Sequence, residues 1–118
     1  MQIAEFFAGS PEALEIFEAV ETAVRKIGDA EVRVSKSQIG FYREHPFAAA
    51  WRPKQYLGRE APPMVLSIFM KRRDRSSRWK EVIEPAEGRY THHVELGSVG
   101  EVDDFVRARL TEAWEDAG

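Results

Sequence analysis

The apolar residues of this 118-residue chain change period twice. Near the N-terminus Leu14, Phe17, Val20, Val24 and Ile27 recur at helical spacing, with Glu12, Glu15, Glu18 and Glu21 largely outside the stripe. Toward the other end Val102, Phe105, Val106, Leu110, Ala113 and Trp114 repeat the pattern. Between the two the period approaches that of strands. Neither a one-sided helix nor a one-sided sheet can bury its apolar face alone, so these segments must share a core. A chain of this length buries about two-thirds of the surface its unfolded form exposes, enough for one core and no second. Residues 1–118 therefore read as a single domain.

The ends of the segments sharpen the outline. Ser10 caps the first helix, Pro11 takes its first position, Glu12 complements the dipole, and Gly28 closes it. Ser98 with Glu101 three residues on is a capping box, which opens the second helix there. Strands are predicted over 31–35, 38–43, 47–52, 64–70 and 91–96, with Glu44-His45-Pro46 short enough for a hairpin. Pro62-Pro63 and the stretch from Pro85 to Gly88 punctuate the remainder. Met64 to Met70 is apolar on both faces and belongs at the centre. The predicted class is α+β: a single mostly antiparallel sheet of about five strands, with the N- and C-terminal helices packed on one face.

No cysteine is present, which excludes disulfides, thiol nucleophiles and cysteine-held metal. Met1 to Phe7 carries no basic region and no apolar run nears the roughly 18 residues of a membrane span, so the expected setting is the cytoplasm, with no membrane partner. Charge is segregated: residues 1–30 hold six acids against two bases, 31–93 thirteen bases against seven acids, and 94–118 seven acids against two bases. Two readings compete. Basic and acidic blocks pair across elements, or the basic centre is a surface for anions.

Alternation places candidate site residues. With Ile39, Phe41, Leu66, Ile68, Val94 and Leu96 toward the helices, the other face shows Gln38, Tyr42, Ser67, Phe69, His93 and Glu95. Lys36 falls in phase with Gln38, and Arg52 joins if Phe47, Ala49 and Trp51 point to the helices. The result is a cationic and aromatic surface with Lys36, Gln38, Tyr42, Arg52 and His93. A second candidate is the loop from Lys71 to Lys80, where Arg78 and Lys80 suit phosphates and Trp79 either stacks on a base or anchors the loop. His92 and His93 point to opposite faces and cannot readily share a metal, so no metal or other cofactor is assigned; His92, in phase with Val94 and Leu96, reads as a core histidine. The Gly97 to Gly100 turn is followed by acids that suit a cap and repel phosphate. Neither a phosphate-binding glycine loop nor a serine elbow occurs, and no catalytic residue is assigned.

Phe6-Phe7-Ala8-Gly9, Ser35-Lys36-Ser37-Gln38-Ile39-Gly40-Phe41, Arg78-Trp79-Lys80-Glu81-Val82, His92-His93-Val94-Glu95-Leu96 and Val102-Asp103-Asp104 together resemble the bacterial domain of unknown function "fifty-six fifty-five". The resemblance implies an α+β fold and a soluble bacterial protein, and brings no activity with it. It draws attention to Ser35 to Gln38, Trp79-Lys80 and the two histidines. The expected function is a non-enzymatic binding or interaction module presenting the basic and aromatic sheet face to an anionic small molecule or protein partner. A homodimer could bury Tyr42, Val65, Phe69 and the Ala48 and Ala50 positions. The alternatives are nucleic-acid binding through 71–80, and a small enzyme with His93 as general base and Lys36 or Arg52 stabilising an anion. The last requires His93 and a cation to converge in a concave pocket.

Overall fold

A computed structural model describes residues 1–53 and 61–118. The elements are α1 (Ile3–Phe6), α2 (Pro11–Ile27), β1 (Glu31–Val34), β2 (Ile39–Tyr42), β3 (Pro46–Trp51), β4 (Met64–Met70), β5 (Glu81–Ala86), β6 (Arg89–Leu96), a 3-10 turn (Val99–Glu101) and α3 (Asp104–Asp116). The strands form one sheet in the order β1-β2-β3-β4-β6-β5. Every neighbouring pair is antiparallel. The expected α+β architecture is present, with six strands among the described residues where about five were predicted. The extra strand is β5, an edge segment that is mostly exposed and contains Pro85, so it lacks the apolar alternation that marks a strand in sequence.

β4 lies between β3 and β6 and is buried along almost its whole length, as its two apolar faces require. The helices pack on one face of the sheet. Ile16, Phe17, Val20 and Val24 of α2 and Val106, Leu110 and Ala113 of α3 meet Ile39, Phe41, Leu66, Ile68, Val94 and Leu96 in one cluster. Phe17 stacks on Phe41 with ring centroids 5.8 Å apart. Each such large apolar side chain contributes about 1.5–3 kcal/mol when fully buried.

Ser10 caps α2, its hydroxyl accepting from the Ala13 amide at 3.3 Å. The second helix differs from expectation at its start. Ser98 makes no side-chain cap, and the carboxylate of Glu101 instead accepts from the Gly97 amide at 2.8 Å. The cap of α3 is Asp103, which accepts from the Val106 amide at 3.1 Å. The capping-box spacing selects a 3-10 turn here, and the true helix begins one turn later at a second cap of equal quality. At the other end of the helix pair, the Trp114 indole donates to the Asp29 carbonyl at 2.9 Å. Gly28 makes that approach feasible, since a Cβ there would lie 2.4 Å from the Trp114 ring.

One irregularity sets the phase of β3. Phe41 pairs with Ala48 but Tyr42 pairs with Pro46, so Phe47 is an extra residue in the ladder. Phe47, Ala48 and Ala50 all lie in the helix-side core. Ala49 and Trp51 therefore face away from the helices. This corrects the expectation that Phe47, Ala49 and Trp51 share the helix side, and removes Ala48 and Ala50 from the outer surface.

Candidate functional site on the far face of the sheet

None of the described helices lies on the far face. One row of directly paired residues crosses it: Arg33, Gly40, Ala49, Ser67, His93 and Glu81. Gly40, Ala49 and Ser67 are small, and side chains further along the strands rise on either side of them. The result is a depression of about 370 Å³ with Ala49 and Ser67 as floor, walled by Gln38, Trp51, Phe69, Thr91 and His93. Tyr42 extends the aromatic wall toward the sheet edge. Its ring lies over Gly40, where a Cβ would come within 2.8 Å of it, and the Arg33 guanidinium sits 4.0 Å above its centroid.

A chain of hydrogen bonds runs through the floor. The Trp51 indole donates to the Ser67 hydroxyl at 3.2 Å, and that hydroxyl lies 2.7 Å from His93 Nδ1. Ser67 is only 4% exposed, and no other acceptor for its proton stands among the described residues. Hydrogen-bond accounting therefore has Ser67 accept from Trp51 and donate to Nδ1, which places the imidazole proton on Nε2. Nε2 has no protein partner among the described residues and is not a buried atom. Burial holds the His93 pKa below its ordinary value, against a smaller upward pull from Glu81. At neutral pH the ring is thus a neutral donor aimed outward.

The Ser–His contact is not a hydrolytic pair. Ser67 already accepts from an indole N–H, which weakens it as a nucleophile, and it is almost wholly buried. β4 is paired on both edges, so its amides are engaged in ladders and none is free to stabilise an oxyanion. The cation required by the enzyme reading does not converge either. Arg52 turns to the helix side, donating to the carbonyls of Phe6 at 3.0 Å and Ala8 at 3.4 Å. Lys36 is exposed in the β1–β2 turn, whose neighbours Ser37 and Gln38 line the depression while Lys36 does not.

Residues 3–117 match a family described as Domain of unknown function (DUF5655). The chain belongs to this family. No curated protein and no solved structure matches it. Among the described residues of this DUF5655 domain, no helix is long and apolar enough to cross a membrane.

In the second predicted site, the 71–80 segment, Arg72, Arg78 and Trp79 are engaged within the fold. Arg72 forms a two-pronged pair with Glu112 at 2.7 and 2.8 Å, and Arg78 pairs with Asp103 at 2.8 Å. Trp79 is buried against His92 and Phe105, and its indole donates to Asp74 at 2.8 Å. Lys80 remains exposed. Arg72 and Arg78 thus pair with α3 and its cap, as the first reading of the charge pattern expects, while Lys71, Arg73, Arg75 and Lys80 have no carboxylate partner among the described residues.

Asp74 is the hub of that arrangement. Its carboxylate also sits 3.1 Å from Arg72 and 3.3 Å from Arg109 Nε; the latter is a charge contact without hydrogen-bond alignment. Burial pushes the Asp74 pKa up, but the Trp79 hydrogen bond and the two guanidiniums outweigh it and leave the group below its ordinary value. The Asp74 amide donates to His92 Nε2 at 2.9 Å, so Nε2 accepts and Nδ1 carries the proton toward the Ile68 carbonyl at 3.3 Å. His92 is fully buried, and burial lowers its pKa against the pull of its backbone partners. It is a neutral core histidine that pins the loop.

Sequence reasoning placed Ser67, Phe69 and His93 on the right face but did not single out Trp51 or connect Ser67 to His93. No local pattern signals Trp51, because the length of the turn after Tyr42 leaves the phase of β3 open.

Proposed function

We propose that this domain is a non-enzymatic binding module whose far sheet face takes a small, partly apolar molecule carrying a hydrogen-bond acceptor. The observation that carries the reading is the Trp51–Ser67–His93 chain. It fixes one imidazole tautomer and presents Nε2–H beside a floor of small residues and two aromatic walls. Such a combination of concave apolar surface and a few oriented polar groups is what small-molecule sites are built from. The depression itself does not select a charge. Arg33 is bonded to Glu31 and lies over Tyr42, while Glu81 and Glu95 flank His93 along and across the strands.

The test is a titration with benzamide, an aromatic ring bearing a carbonyl acceptor, followed through the indole N–H resonances of the three tryptophans. The Trp51 signal and the His93 amide should move while Trp79 and Trp114 stay fixed. Ala49→Leu, which fills the floor, should remove the response with the fold intact. Shifts confined to other surfaces, or a response that survives Ala49→Leu, would overturn the reading.

A further inference from the structure

Resting on that reading, we infer that the ligand is elongated and ends in a carboxylate, held about 13 Å from Ser67 by Lys71 and Arg89. The register of β4 and β6 supplies the geometry. Their paired far-face residues run Val65 with Glu95, Ser67 with His93, and Phe69 with Thr91. The next positions in phase are Lys71 and Arg89. A second depression of about 340 Å³ lies at this end of the sheet, and Phe69 and Thr91 line both it and the first. The two meet at Phe69 and Thr91 on the far face, and the second continues around the end of the sheet past Tyr90 and Ala113 on the helix side.

Charge distinguishes the two ends. Lys71 and Arg89 both line the second depression, and neither has a carboxylate within ion-pair distance among the described residues. Their neighbours in sequence behave otherwise: Arg72 is paired with Glu112 and Asp74. The acid on the same rim, Asp116, accepts from the Lys71 amide at 3.1 Å and is held there by the backbone. Two cations on one rim suit the two oxygens of a carboxylate, and Asp116 on the same rim disfavours a second negative charge on the ligand. At the opposite end of the strand pair Glu95 repels an anion, so the molecule has a defined direction: apolar body over Phe69 toward Trp51 and His93, carboxylate at Lys71 and Arg89.

The probes are 8-phenyloctanoate and its uncharged primary amide, compared by titration against the whole chain with backbone and indole N–H resonances as the readout. Both should move Trp51, and the carboxylate should bind about tenfold tighter, as a charge-assisted contact requires. In the double variant Lys71→Met, Arg89→Met the carboxylate should fall to the affinity of the amide, and the amide should change by less than about twofold. Both replaced side chains are exposed, so the variant's melting temperature serves as the check on folding. Equal affinities in the parent chain, an advantage that survives the double variant, or a carboxylate that moves Lys71 and Arg89 but leaves Trp51 unmoved would each overturn the inference. Binding of the carboxylate and the amide with no response at Trp51, or no binding of either, overturns the proposed function itself.

Discussion

Replacing Asp74 by Ala should be among the most damaging single changes in this protein, although the residue lies in a charged loop. The Trp79 indole, buried against His92, would lose its acceptor, which costs about 1–3 kcal/mol. The Arg109 guanidinium, its side chain 26% exposed, would keep only the face of Phe105, so part of the several-kcal/mol penalty for an uncompensated charge is added. Arg72 contributes little, being half exposed and retaining Glu112. Together these come to about 3 kcal/mol. That is a large share of the roughly 5–15 kcal/mol available to a domain, and lowers Tm by about 12 °C. Asp74→Asn keeps an acceptor for the indole and should cost about half as much. Urea unfolding at pH 7, followed by far-UV circular dichroism, measures both. The double variant with Trp79→Phe isolates the indole contact, whose coupling should reach about 1 kcal/mol. Because the Asp74 pKa is lowered in the folded protein, its contribution is present above the unfolded value near 3.8 and fades as pH falls through the folded one. The gap between the parent and Asp74→Asn should therefore close in strong acid. A cost below about 1 kcal/mol for Asp74→Ala, or strict additivity with Trp79→Phe, would refute the account of the loop as pinned through this carboxylate.

Two further outcomes are expected. His92 and His93 are both held below their ordinary pKa by burial, so the unfolded chain binds protons first and stability falls as pH drops below about 6.5. Melting temperatures should be flat above about pH 7.5 and decline toward pH 5, a window well above that of Asp74 and Asp103; a flat profile across it would contradict the neutral assignments. Gly28→Ala would place a methyl against the Trp114 ring and should cost about 1–3 kcal/mol, with loss of the near-ultraviolet signal of that indole. Unchanged stability and an unchanged spectrum would show that the contact is loose.

The fold was legible where local chemistry and burial agree. Ser10-Pro11-Glu12 both caps a helix and precedes an apolar stripe, and Met64 to Met70 is apolar on both sides because both sides are covered. β5 was hidden because an exposed edge strand has no need of apolar alternation, and Pro85 reads as a break. The start of α3 was misplaced because Ser98 with Glu101 and Asp103 are competing caps five residues apart, and only the packing of Val106 and Leu110 decides between them. At the candidate site, His93 and Ser67 followed from phase alone. Trp51 did not, because a bulge is invisible to a period of two, and the same slip sent Arg52 to the wrong side. The pairing of the basic loop with α3 joins residues forty positions apart, as in Arg72 with Glu112, and sequence spacing says nothing about such a contact.

The extra residue at Phe47 gives this sheet an unusual mutational grammar. Substitution alters a side chain where it stands, but the extra residue is lost as a unit: without Phe47 the pairs Tyr42 with Pro46 and Phe41 with Ala48 become consecutive, and the ladder runs without a break. Ala49 and Trp51 would keep their places opposite Ser67 and Val65, so the depression would stay while the core beneath it lost the Phe47 ring. A deletion there thus acts on the packing under the sheet, whereas turning Trp51 inward would require a one-residue slip of the whole of β3 against β4. The bulge therefore governs how Phe47 enters the core, and the pairing of β3 with β4 governs which side chains reach the far face.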